Sequence, residues 1–89
     1  MAETILQEAQ RLTAGERQRD YGHPHHDYSR VVAAFSALTG HDLTPAQGAI
    51  FMCCVKLARE CTRPKRDNRV DLAGYAHVLD MIQQKEDAQ

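Results

Sequence analysis

Two tracts of this chain, Pro45 to Cys61 and Val70 to Ile82, carry apolar residues around most of a helical circumference, and Pro64 stands between them. In the first, Ala49, Ile50, Phe51, Met52, Cys53, Cys54, Val55, Leu57 and Ala58 leave little polar face. In the second, Val70, Leu72, Ala73, Tyr75, Ala76, Val78, Leu79, Met81 and Ile82 cover a face too broad for one neighbour. A helix apolar on more than one side is buried on more than one side. In a chain of 89 residues few other elements are available to surround these two, and a single domain of this size buries only a modest part of its surface. The pattern therefore predicts an all-α fold, a compact bundle of about four helices assembled as a homo-oligomer.

The flanking segments fit that architecture. Ile5, Leu6, Ala9 and Leu12 form one apolar stripe, which Gly15 terminates. Tyr21-Gly22-His23-Pro24 reads as a turn, because Pro24 pushes His23 out of the helical region. A helix then runs from about Pro24 or His25 to Thr39, with Tyr28, Val31, Val32, Phe35 and Leu38 as its core-facing stripe, and Gly40 ends it. Thr44-Pro45-Ala46-Gln47 is a start signal: Thr44 caps, Pro45 suits the first helical position and Gln47 reaches back to complete a capping box. After Pro64, Asp67 is expected to cap a last helix from about Asn68 to Lys85. The polar residues 83–89 read as a frayed tail of the single domain 1–89. No alternating strand pattern, repeat or linker is visible.

Charge and cysteine usage narrow the function. The net charge of -1 is unlike a general nucleic-acid binder, and no apolar run reaches the length of a membrane span. No sequence-specific nucleic acid and no membrane are expected as partners. Cys53, Cys54 and Cys61 lie on one predicted helix without a Cys-x-x-Cys pair. They read as reduced, buried thiols in a cytoplasmic setting.

What basic charge there is gathers in one place. Six of the eleven Lys and Arg residues fall between Lys56 and Arg69, against Glu60 and Asp67. Lys56 interrupts an otherwise apolar helix and wants an anionic partner. Lys56, Arg59, Arg63 and Arg66 are the expected phosphate contacts, with Tyr21 or Tyr75 meeting a base and His23 beside them. Asp67 and Asp71, four residues apart, share a helix face and are the candidate metal ligands if a divalent ion is used. The histidines from His23 to His26 spell no tetrahedral zinc set; they read as capping a turn, binding phosphate or facing water. No nucleophile elbow or phosphate-binding glycine loop is present.

The segments R-Q-R-D-Y-G-H-P (Arg17–Pro24), L-T-P-A-Q (Leu43–Gln47), V-K-L-A-R (Val55–Arg59) and D-N-R-V-D-L-A-G-Y-A (Asp67–Ala76) together resemble a family of small phage and prophage proteins of unassigned function. Their order is similar to that in phage nucleotide-modification-associated domains and, more distantly, in MazG-like all-α nucleoside triphosphate pyrophosphohydrolases. That resemblance implies a helical oligomer with Lys56 and Arg59 near phosphate, and Asp67 and Asp71 near magnesium. The MazG-like pattern also places a Glu-x-x-Glu on one helix, whereas the helix from Thr44 to Cys61 carries only Glu60. The expectation is therefore a nucleotide or cyclic-nucleotide binder that sequesters its ligand without turnover and needs no cofactor, a sponge for an immune messenger. The alternatives are a magnesium-dependent pyrophosphohydrolase and a structural or partner-binding helical module.

Overall fold

The computed structural model describes residues 2–89 and contains five helices: α1 (Ile5–Ala14), α2 (Glu16–Tyr21), α3 (Pro24–Thr39), α4 (Pro45–Thr62) and α5 (Arg66–Asp87). Four are the helices that the apolar periodicity predicts. The fifth, α2, is a single polar turn and a half that follows the break at Gly15.

Local chemistry sets the boundaries. Thr4 and Thr44 each cap a helix through a complete capping box, with Gln7 and Gln47 returning the hydrogen bond at 2.8 and 2.9 Å. Gly40 takes up the left-handed conformation (φ 75°) that closes α3. His23 caps the start of α3, its Nδ1 accepting from the His25 amide at 3.0 Å. At α5 the structure departs from the sequence reading: the cap position is Lys65, no side chain caps it, and Asp67 lies inside the first turn. Asp67 acts there only through the helix dipole. The far end of α5 is also longer than expected. Gln83 and Gln84 donate to Asp87 and Asp80 at 2.9 Å, and His25 of α3 approaches Glu86 at 3.5 Å.

The core sits around α5, which packs on α4, α1 and α3. Tyr28, Ala49, Tyr75, Val78 and Ile82 form its buried cluster, with Ala46, Met52, Cys53 and Leu79 packed against it. The breadth of α5's apolar face is thus satisfied within one chain. Two glycines allow close approach. A Cβ on Gly74 would stand 3.3 Å from the Thr13 methyl, and one on Gly48 would stand 3.1 Å from both Tyr28 and Val32.

Helices α3 and α4 behave differently. Tyr28 and Val32 are buried, but Val31, Phe35 and Leu38, expected to face the core, are exposed, as are Ile50, Phe51 and Leu57. The cysteines correct the reading as well: all three are free, but only Cys53 is even partly buried, and Cys54 and Cys61 are exposed. Cys53 packs against the core cluster, whereas Cys54 and Cys61 lie on the exposed side of α4. Among the described residues, no helix is long and apolar enough to cross a membrane.

Candidate functional site: a basic groove and a tyrosine-lined cleft

The end of α4, the Arg63–Lys65 link and the first turns of α5 enclose a groove of about 610 Å³. Its lining includes Lys56, Arg59, Arg63 and Lys65, against Asp67 and Asp71, a net charge of +2. Within the groove Lys56 is already engaged: its Nζ lies 2.7 Å from Asp71 Oδ2, with both side chains mostly shielded. That pairing answers the question a lysine in an apolar helix poses. Arg59, Arg63 and Lys65 have no carboxylate within salt-bridge distance among the described residues.

Glu60 holds the link in shape. Its Oε1 accepts from the Lys65 amide at 2.9 Å and from Asn68 Nδ2 at 3.2 Å, while Oε2 accepts from Arg69 Nε at 2.8 Å. The Lys65 amide, then Asn68 and Arg69, hold the Glu60 carboxyl below its ordinary range against the opposing effect of desolvation. Asn68 is buried and also donates to the Arg63 carbonyl at 3.4 Å. A carboxylate thus organises the basic link without lining the groove. From sequence, Glu60 stands against the basic run and against the MazG-like acid pattern; its place four residues before Pro64 is the signal for its structural role.

A second cavity, about 550 Å³, lies between α1, α2, α3 and α5. Its apolar floor includes Ala9, Val70, Val78 and Tyr75, with Tyr28 beside them. Glu16, Asp20, Asp27 and Asp71 give its rim four carboxylates against the single guanidinium of Arg17. Partial burial lowers the Arg17 pKa, and the neighbouring Tyr75, Asp71 and Tyr28 groups outweigh it, so the net shift is upward. Burial pushes the Tyr28 phenol well up, keeping it a neutral hydroxyl. Tyr21 is exposed at the mouth, whereas Tyr75 is buried in the floor. Arg17 escaped the sequence reading, although it opens the R-Q-R-D-Y-G-H-P segment.

The residues singled out from the sequence therefore divide. Lys56, Arg59, Arg63, Asp67 and Asp71 meet in the groove, Tyr21 and Tyr75 belong to the cleft, and Asp71 lines both. Arg66 stands apart: it pairs with Glu8 of α1 and donates to the Glu3 carbonyl at 3.0 Å. His23 lines neither cavity. Burial first, then Lys85 and the neighbouring histidines, lower its pKa and favour the neutral ring that its cap requires.

Asp71 is held by Lys56, Asp67 is exposed one turn away, and no group of three or more potential ligands exists among the described residues. A hard dication bridging phosphates is normally held by one or two carboxylates free to coordinate it, and Asp71 would first have to leave its ammonium partner.

Fold and groove together define a small all-helical protein with a cationic groove at one helix junction. The chain belongs to the DUF6378 family, a domain of unknown function, whose profile matches residues 4–83. It is 39% identical over 83 residues to the Gene 55 protein of Mycobacterium phage D29, and 35% identical over 86 residues to the Gene 55 protein of Mycobacterium phage L5. Those alignments cover 92% and 94% of this chain but 55% of each relative, so the chain spans about half the length of the curated relatives it matches. No solved structure matches it.

Proposed function

We propose that this phage-type protein binds a nucleotide or cyclic nucleotide in the host cytoplasm and retains it unchanged, acting as a homo-oligomer that sequesters its ligand. The observation that carries this reading is the set of three cations, Arg59, Arg63 and Lys65, gathered in one groove with no carboxylate partner. Cations so placed favour a multiply charged anion such as phosphate, and arginine does so with two parallel donors. The acidic rim of the neighbouring cleft repels phosphate, whereas its apolar floor and Tyr21 suit an uncharged base. Phosphate in the groove and base in the cleft would flank Asp71. The Lys56–Asp71 pair supports binding over hydrolysis, because it engages the acid that a metal would need.

The test is to incubate the pure protein with a panel of nucleotides and cyclic nucleotides, with magnesium and with chelator, and then to analyse both products and heat-released ligand. Recovery of an unchanged ligand in the presence of chelator is expected. Magnesium-dependent release of pyrophosphate would replace this reading with a pyrophosphohydrolase, and no binding to any member of the panel would leave a helical partner-binding module.

A further inference from the structure

Helix α4 displays a regular apolar seam that nothing in the chain covers. Ile50, Cys54, Leu57 and Cys61 follow one another at intervals of four, three and four residues, and all four are exposed. On the adjacent α3, Val31, Phe35 and Leu38 repeat the four-three spacing and are exposed too, Leu38 to 87%. This alternation is the signature of positions that interlock with a facing helix. Charge is absent from most of this surface: no Asp, Glu, Lys or Arg occurs from Val31 to Gly40 or from Pro45 to Val55, and charged residues enter only at the Leu57–Cys61 end, with Lys56, Arg59 and Glu60.

We infer that the exposed seams of α3 and α4 form the surface on which a second copy of this chain docks, making a two-fold symmetric helical dimer. The inference deepens the self-association in the function proposed above by locating its surface, and rests on that reading. A second copy is the occupant because each chain presents two seams of one spacing, on helices that pack together and with no charged residue at any seam position, the kind of self-complementary surface that a two-fold axis requires. Area points the same way. Aromatic side chains bury on the order of 150–250 Å² each and the smaller aliphatic ones less, so Val31, Phe35, Leu38, Ile50, Phe51 and Leu57, at 39–87% exposure, together offer on the order of 600 Å². A standard interface takes about 800 Å² from each partner, and the exposed Cys54, Cys61 and Ala34, on the same faces, add to that area. Scattered apolar residues need no partner, but a patch of this extent on two adjacent helices does. Helix α5, by contrast, leaves none of its large apolar side chains exposed.

Sedimentation velocity across the micromolar range tests the inference. The wild type is expected to sediment at twice the 10.0 kDa chain mass. Leu57→Glu and Leu38→Glu, each placing a charge on the seam, are expected to raise the dimer dissociation constant by about tenfold or more. His77→Glu, on an exposed part of α5, is the control and should leave it unchanged. Because both leucines are at least half exposed in the single chain, helicity by circular dichroism should persist in the variants. A strictly monomeric wild type overturns both the self-association and the seam. An oligomeric wild type that resists both glutamates overturns the seam alone, as does one that His77→Glu dissociates equally.

Discussion

Lys56 Nζ and Asp71 Oδ2 meet at 2.7 Å across the junction of α4 and α5, with 14% and 22% of their side chains exposed. The pair ties the two longest helices together beside the proposed ligand site. Removing one charge leaves the other shielded and unpartnered, which costs more than the pair contributes. Asp71→Asn is expected to destabilise the fold by about 1–3 kcal/mol. Lys56→Met combined with Asp71→Asn should cost less than the sum of the two single changes, and urea titrations of the four proteins measure that coupling. If Asp71 positions Lys56, ligand binding by the wild type also persists in excess chelator. Binding that vanishes with chelation would assign Asp71 to a metal.

Arg59 and Arg66 separate the groove from its surroundings. Arg59 lines the groove with no carboxylate within salt-bridge distance among the described residues, and Arg59→Ala is expected to weaken nucleotide binding by about 1.5–3 kcal/mol, the scale of a charge-assisted hydrogen bond. Arg66 is held by Glu8 and the Glu3 carbonyl, away from the groove. Arg66→Ala should leave affinity unchanged and alter stability by no more than about 1 kcal/mol, as for a half-exposed ion pair. Isothermal titration of both variants checks the contrast, and equal losses would enlarge the site to include Arg66.

Much of this was legible in the sequence, and the failures share a cause. Thr44, Pro45 and Gln47 announced the start of α4, and Gly40 the end of α3, because caps are local chemistry. The same Thr-x-x-Gln signal at Thr4 and Gln7 was equally readable and was passed over. Val31, Phe35 and Leu38 carried the right period, but a period says that a face is apolar, not what covers it. Likewise the basic run from Lys56 to Arg69 marked the groove, whereas Arg66 turns to a glutamate 58 residues away, which no local pattern records. The α4–α5 contact between Lys56 and Asp71 needed the fold.

Glu60 offers a test through pH. Its carboxyl lies below its unfolded value of 4.5, chiefly through the Lys65 amide, so the charged form stabilises the native link. That contribution is fully present above about pH 4.5 and is lost as pH falls through the lower native value. Glu60→Gln keeps the shape but weakens the charged acceptance from Lys65 and Arg69. The variant should therefore be less stable than the wild type at neutral pH and lose less on acidification, with the two curves converging in acid. It should also bind nucleotide more weakly, because Arg63 and Lys65 are displayed by the link that Glu60 holds. Chemical denaturation at a series of pH values supplies the first comparison and titration calorimetry the second; parallel stability curves would remove Glu60 from this role.

The two helical glycines should respond differently to alanine. Either change gains about 1 kcal/mol of helix propensity. At Gly74 the added methyl meets a single contact, the Thr13 methyl at 3.3 Å, and a few tenths of an ångström of movement relieves it. Gly48 faces a Tyr28 ring carbon and a Val32 methyl, both at 3.1 Å, from two buried side chains of α3. Neither can yield without shifting α3 against α4, and overpacking of that kind costs about 1–3 kcal/mol. Gly74→Ala is thus expected to be neutral or mildly stabilising. Gly48→Ala should lose about 1 kcal/mol net, a fall in Tm of about 4–8 °C for a domain of this size. Thermal melts of the two variants decide it: if Gly48→Ala melts at or above the wild-type temperature, the close approach of α3 and α4 is looser than 3.1 Å contacts require.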